Sequence, residues 1–481
     1  MAGPSKVVVA QASAEGLKPV LSLFDAAMIV AGSMIGSGIF IVSADIARYV
    51  GSPAGLLAVW IVSGVMTIAG ALACGELAAM MPQAGGQYVY LREAYGPLWA
   101  FLFGWTLLLV VQTGTIAAVA VAFARFAAVI WPALGAPIPL GIAHIALPSE
   151  RVEAIVVIAA LTAVNLRGVE TGRQVQNFFT SFKILALVLI AALGLLIAPR
   201  HDALAINFGG ARAFFGTRPM SIGWLSAFGA AMVGGLFSAD AWASVTFTAA
   251  EVRNPRRDLP LALAFGTGLV ILLYILANLS YMAELPVGGV ADGAGVFARG
   301  IAHARADRVA AAAMEMVWGR AGAALTAAVV MVSTFGCANG LILTGARVIY
   351  AMARDGMFFG FAGRLNRAMV PGAALVMQGI WSAVLALSGS YSALLDYVIF
   401  TNLLFYVITV GAVFVMRATR PNQARPYRAW GYPYVPAAYI VAAIVLMVDL
   451  LIMKPRSTWP GLLIVLSGLP VYALSIRRAP D

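Results

Sequence analysis

The chain has 481 residues, 62% of them hydrophobic and 11% charged, with a formal net charge of +11. That composition excludes a soluble globular domain, and the length suffices for about a dozen membrane spans of roughly 20 residues. The two cysteines lie inside apolar runs and the three histidines are scattered, which excludes a disulfide framework and a metal site.

Apolar runs predict spans at 22–48, 54–80, 97–126, 152–166, 176–198, 222–250, 260–284, 321–350, 371–390, 394–416, 434–453 and 459–476. All read as helices, because only helices or closed barrels satisfy the backbone in lipid and these runs lack barrel alternation. The third and eighth runs extend past the membrane, and 285–320 reads as an external segment with surface helices. No cleavable signal pattern precedes the first span. Twelve spans place both termini on one side. With that side cytoplasmic, eighteen basic residues fall inside and twelve outside, with Lys183 on neither side. Such loop charge orients a membrane protein and implies no nucleic acid partner.

The first span carries its own interruption, Gly32-Ser33-Met34-Ile35-Gly36-Ser37-Gly38. Three glycines within seven residues are costly in a helix, and the freed backbone groups find no water in hydrocarbon. A break of this kind persists where it is buried in protein or lines a polar cavity, as in secondary transporters. In the sixth span, Gly229, Gly234 and Gly235 lead into Phe237-Ser238-Ala239-Asp240-Ala241-Trp242. A carboxylate inside an apolar run is functional or paired. Spans one and six open two five-span sets, so matching interruptions point to an inverted repeat with its site at the midplane.

Several stretches resemble the amino acid–polyamine–organocation superfamily. They are the first-span motif, Gly75-Glu76-Leu77-Ala78 with Gly85-Gly86-Gln87-Tyr88, and Glu251-Val252-Arg253-Asn254-Pro255. Phe335-Gly336-Cys337-Ala338-Asn339-Gly340 and Arg425-Pro426-Tyr427-Arg428 continue the match in the expected order. The branch most similar is that of bacterial relatives of the L-type amino acid transporters. The resemblance implies an all-α membrane protein of twelve transmembrane helices with the LeuT-like five-plus-five inverted repeat, helices 1 and 6 broken, plus two C-terminal helices. Its parts are a tail at 1–20, a first repeat at 21–198, a second at 222–416, the added pair at 434–476 and a tail at 477–481. It implies a multi-pass protein of the cell inner (plasma) membrane with both termini cytoplasmic. Its contacts are an amino acid substrate and lipid, with no enzyme activity and no cofactor. Two positions depart from the branch. Ala239 stands where an aromatic is common, and Ala241 where a glycine precedes the tryptophan. The loop 131–150 has no cysteine, so no disulfide-linked ancillary subunit is expected.

An amino acid presents a carboxylate and an ammonium. Gly36, Ser37 and Gly38 suit the carboxylate, because free N–H groups and the positive dipole end gather at the start of the second half-helix. Carbonyls around Met34 and Ile35, with those near Phe237, Ser238 and Asp240, suit the ammonium. The alternative for these glycines is helix packing. Phe237 is either an outer gate or a packing aromatic. Gln112, Thr113 and Asn402 either face the pocket or bond neighbouring helices. Asp240 either favours cationic substrates or orients unwound backbone. Glu76 reads as an inner-end interfacial or gating residue.

Lys183 lies ten residues past Arg173, about 15 Å along a helix and so near mid-membrane. Resemblance places it where sodium-coupled cousins hold sodium between helices one and eight, with contacts expected from carbonyls near Met34 and from Ser333 or Asn339. It is then a fixed cation in place of sodium, a proton-coupling site, or a static charge paired with Asp240 or carbonyls. The resemblance and these features together imply a sodium-independent secondary carrier (permease or exchanger) of neutral L-amino acids. The alternatives are a proton-coupled symporter and a carrier of cationic amino acids or polyamines. An enzyme lacks its constellation here, and a channel its polar rings.

Overall fold

Backbone groups inside a bilayer must find partners within the protein, and this chain meets that demand with helices. The computed structural model describes residue 17 and residues 19–135, 138–139, 146–217, 221–388 and 391–476. The tail 477–481, most of 1–20 and His144 lie outside the described residues.

The first run is α1 (Leu23–Met34), α2 (Gly38–Ile41) and α3 (Ser43–Val50). Next come α4 (Pro53–Met80), α5 (Gln87–Tyr95), α6 (Pro97–Thr106) and α7 (Gln112–Ile130), with a π-helical turn at Leu107–Val111 joining the last two. A two-residue strand pair, Ile138–Pro139 with Ala146–Leu147, precedes α8 (Ser149–Leu166) and α9 (Val169–Ala192). Short α10 (His201–Phe208) and α11 (Ala211–Phe215) lead to the second interrupted run, α12 (Ile222–Ser238) and α13 (Ser244–Phe247). The remainder is α14 (Pro255–Glu284), α15 (Val296–Arg299), α16 (Val309–Arg354), α17 (Gly372–Ser388), α18 (Tyr391–Thr419), α19 (Tyr434–Met453) and α20 (Pro455–Ile476). Among the described residues, eight helical stretches are long and apolar enough to cross a membrane, and three apolar helices are shorter. The fold is all-helical apart from the small strand pair.

Helix ends follow local chemistry. Ser22 and Asp25 form a reciprocal capping box at the start of α1, which satisfies two orphan donors. Asp25 also accepts from Arg173 and Asn177 of α9. That pairing carries α9 back to Val169, seven residues before the predicted start at 176. The sixth run is shorter than 222–250, because α12 stops at Ser238 and the chain re-forms only as single turns. The external segment departs furthest from expectation. Val309–Met314 is buried helix, not a surface helix, and joins the eighth span across a kink at Trp318 and Gly319. Gly319 takes a φ of 61° there, a value that costs glycine little.

α1 is enclosed by α9, α14 and α16, while α7 packs along α16 and α14 along α4. The two interruptions therefore meet in the middle of the helix cluster.

Candidate site at the two helix breaks

The first half-helix ends at Met34, and Ile35 turns extended with φ −74° and ψ 90°. The last carbonyls of a helix lack intrahelical partners, and each of these meets a side chain from another helix. Gly32 and Ile35 carbonyls accept from Lys183 Nζ at 2.5 and 2.7 Å. The Ser33 carbonyl accepts from Cys337 Sγ at 3.0 Å. The Met34 carbonyl accepts from the Tyr274 hydroxyl at 2.9 Å. The Ser333 hydroxyl lies 3.3 Å from the Ile35 carbonyl and 3.2 Å from that of Gly36. The end of α1 is thus capped by α9, α14 and α16 together.

Lys183 is fully buried. Its ammonium has three donors, and three carbonyls face it: Gly32, Ile35 and, at 3.4 Å, Ser333. No ion pair reaches it among the described residues, so its contacts are the carbonyls and not Asp240. Asn339, grouped with Lys183 from the sequence, lies elsewhere. It bonds Asn165 at 2.9 Å and Gln176 at 3.1 Å, in a polar cluster joining α8, α9 and α16. The cause is helical phase, since six residues separate Ser333 from Asn339 and turn it toward a different neighbour.

The second break begins after Ser238. Ala239 leaves helical geometry and Ala241 adopts φ 66°, a left-handed value that disfavours a side chain. This is the position where the resembling branch carries glycine. The two breaks touch. A Cβ built on Gly38 would overlap Ser238 Oγ and lie 3.0 Å from its Cα, so glycine there permits backbone contact between α2 and α12. The Tyr274 hydroxyl, 2.9 Å from the Met34 carbonyl, lies equally close to that of Ser238. One hydroxyl proton serves one carbonyl at a time, so this residue of α14 bridges both breaks. Its ring packs edge-on against Trp60 at 5.4 Å.

Asp240 is held from α18. Asn402 Nδ2 donates to one oxygen at 2.6 Å and the Tyr406 hydroxyl to the other at 2.8 Å. Trp242 stacks on Tyr406 at 4.7 Å. Gln112 Nε2 donates to the Leu341 carbonyl of α16 at 2.6 Å, a bond to a neighbouring helix. Even so, Gln112 lines a small cavity with Asp240, Asn402 and Tyr406. Thr113 bonds no neighbouring helix among the described residues. Its hydroxyl bonds the Leu108 carbonyl of its own chain, five residues back, which the π-helical turn leaves in reach. Ser37 and Phe237 are both buried.

The cavities beside Asp240 measure about 20 and 10 Å³. Either volume suits about one water and falls far below a ligand pocket of roughly 300 Å³, so the breaks are closed in this structure.

Polar contacts flank the breaks at both ends. Toward the basic end, the segment before α1 pairs with the segment after α13, Leu21 N to the Glu251 carbonyl at 2.8 Å and Arg253 N to that of Leu21 at 2.9 Å. Glu251 also forms a fully buried ion pair with Arg347 at 3.0 Å. Glu76 is buried beneath a two-pronged contact from Arg417 at 2.9 and 2.6 Å and accepts from Ala429 N. At the opposite end Arg48 binds Asp307 at 2.7 Å and the Ala302 carbonyl at 2.8 Å. Sequence reasoning missed Tyr274, Tyr406 and the Glu251–Arg347 pair. Their only signal was a polar or charged side chain within or beside an apolar run.

Comparison with known proteins supplies the wider context. The amino acid permease family matches residues 21–473. The chain is 31% identical over 470 residues to the human b(0,+)-type amino acid transporter 1, covering 96% of this chain and 88% of the relative. It is 28% identical over 461 residues to the serine/threonine exchanger SteT of Bacillus subtilis (strain 168), covering 95% and 97%. It is 29% identical over 461 residues to the Asc-type amino acid transporter 1 of Mus musculus, covering 96% and 82%.

Proposed function

The chain belongs to the amino acid permease family, and from that premise we propose that it is a sodium-independent secondary transporter of neutral L-amino acids working by alternating access. The observation that carries this reading is the contact of two interrupted helices at Gly38 and Ser238, bridged by Tyr274. A closed junction of this kind must part to take substrate, as alternating access requires. Gly36, Ser37 and Gly38 then receive the carboxylate. The ammonium uses free lone pairs of the Met34, Ile35 and Ser238 carbonyls, beside the Lys183 and Tyr274 donors that face them here. Phe237 closes over the substrate, and Gln112 and Asn402 line its side-chain end.

Neutral selectivity is favoured over the cationic or polyamine alternative because both Asp240 oxygens already accept protein hydrogen bonds. Sodium independence is favoured because the Lys183 ammonium fills a cage of carbonyls with a fixed charge. The full arrangement in this reading is twelve transmembrane helices in a LeuT-like five-plus-five repeat, 21–198 and 222–416, with 434–476 appended. The chain then sits in the inner membrane with both termini cytoplasmic and without a disulfide-linked partner; both described cysteines are buried and unpaired.

The test is uptake of single radiolabelled amino acids into proteoliposomes, with counterflow against unlabelled ones. Saturable, counterflow-competent uptake of neutral amino acids is expected. Uptake confined to lysine, arginine or polyamines, or none for any amino acid, would overturn the proposal.

A further inference from the structure

Opposite the basic end, the turn before α16 surrounds a cavity of about 400 Å³. Val129 at the end of α7, Arg299 of α15, Arg305, Arg308 and Glu315 are among its walls. Arg299 and Arg308 are half-buried. None of the three guanidinium groups has a hydrogen bond or ion pair among the described residues. Leaving a partly buried guanidinium unpaired is unfavourable; two such groups, Arg299 and Arg308, with the exposed Arg305, share the cavity wall with one carboxylate, Glu315. Burial, then the like charges of Arg305 and Arg125, lowers the pKa of Arg308. The turn's own acid does not relieve this, because Asp307 is drawn away to Arg48. Ala306 and Asp307 both take left-handed φ, 53° and 59°, a conformation held where surrounding contacts over-determine it. Residues 131–148, which follow α7, contain no Asp or Glu.

We propose that this basin is an oxyanion-binding site, taking the carboxylate of a small solute or the phosphate of a lipid headgroup. Planar guanidinium forks match both groups through paired N–H donors, and a space of this size holds a small anion with its hydration. The inference is independent of the transport reading.

The test uses the full chain in phosphatidylcholine nanodiscs, titrated with inorganic phosphate at low chloride. In parallel, nanodiscs containing phosphatidylglycerol are used to count retained lipid by native mass spectrometry. Arg305→Gln/Arg308→Gln should weaken binding roughly tenfold or more without altering thermal unfolding, since neither side chain has a protein partner. Glu315→Gln should strengthen binding several-fold, so one variant moves the readout upward and guards against simple loss of fold. Phosphate binding in phosphatidylcholine that the double variant loses identifies a free-anion site. Arginine-dependent retention of phosphatidylglycerol without phosphate binding identifies a lipid site. Binding of neither, or binding unchanged in both variants, overturns the proposal.

Discussion

Replacing Lys183 by Met keeps much of the side chain's volume and removes its three donors. The Gly32 carbonyl, 2.5 Å from Nζ, is left without its donor, while the Ile35 carbonyl retains the Ser333 hydroxyl at 3.3 Å. An orphaned buried acceptor costs about 1–3 kcal/mol, so one full and one partial loss amount to about 2–4 kcal/mol. Against this stands the recovered cost of burying an ammonium, itself several kcal/mol. The two nearly offset in overall stability, so the protein should still fold and insert. The brace on α1 does not survive, because no other cation reaches those carbonyls. Counterflow in proteoliposomes should therefore fall at least about tenfold, equivalent to roughly 1.4 kcal/mol, at near-normal melting temperature in detergent. Lys183→Arg should not restore it, because a planar fork cannot reproduce three converging donors. With the lysine a fixed charge, wild-type exchange should be nearly flat between about pH 5 and 7. Full exchange by a correctly inserted Lys183→Met protein would refute the brace, and steep pH dependence would convert it into a proton site.

Three further outcomes follow from the same geometry. Gly38→Val should abolish substrate binding in a protein that remains monodisperse in detergent, since even its Cβ would overlap Ser238; wild-type affinity in a scintillation proximity assay would disprove the close contact of the breaks. Replacing external and internal sodium by choline should leave uptake unchanged, and strict sodium dependence would remove Lys183 from the cation position. Ala241→Gly relieves a left-handed alanine worth about 1–2 kcal/mol and adds unfolded-state freedom of about 0.5–1 kcal/mol; the melting point should rise by the equivalent of about 0.5–1 kcal/mol, and a fall would mean that the φ of 66° is not strained.

Much of this centre was legible from local chemistry. Glycine density at 32–38 marks where the first helix cannot persist, Gly234-Gly235 stand shortly before α12 stops at Ser238, and spacing from Arg173 puts Lys183 at the depth of the first break. What remained hidden depends on rotation and packing between distant segments. Nothing in the run Ile271-Leu272-Leu273-Tyr274 says that its hydroxyl reaches both breaks, because that requires α14 to pack on α1 and present that face. Asn339 and Ser333 looked interchangeable as partners for Lys183, yet helical phase separates them. Thr113 was indeterminate because a π-helical turn in an apolar run has no sequence mark.

The contacts that close the two ends differ in strength, and the difference bears on how the junction opens. Arg48–Asp307 joins side chains that are 36% and 42% exposed; pairs of that kind contribute about 0.2–1 kcal/mol. Glu251–Arg347 is wholly buried, and removing one partner of such a pair costs about 3–5 kcal/mol. Two backbone bonds through Leu21 lie beside it. Separation at the Asp307 end therefore breaks exposed groups that water can resolvate. Separation at the basic end must expose a buried pair, and it becomes accessible only when water or substrate contacts replace what is lost. On the proposed alternating-access reading, the closed arrangement is therefore expected to open first at the Asp307 end. The buried Glu251–Arg347 pair is expected to make passage through the other end the costlier step, while the Tyr274 bridge, at the breaks themselves, belongs to neither end.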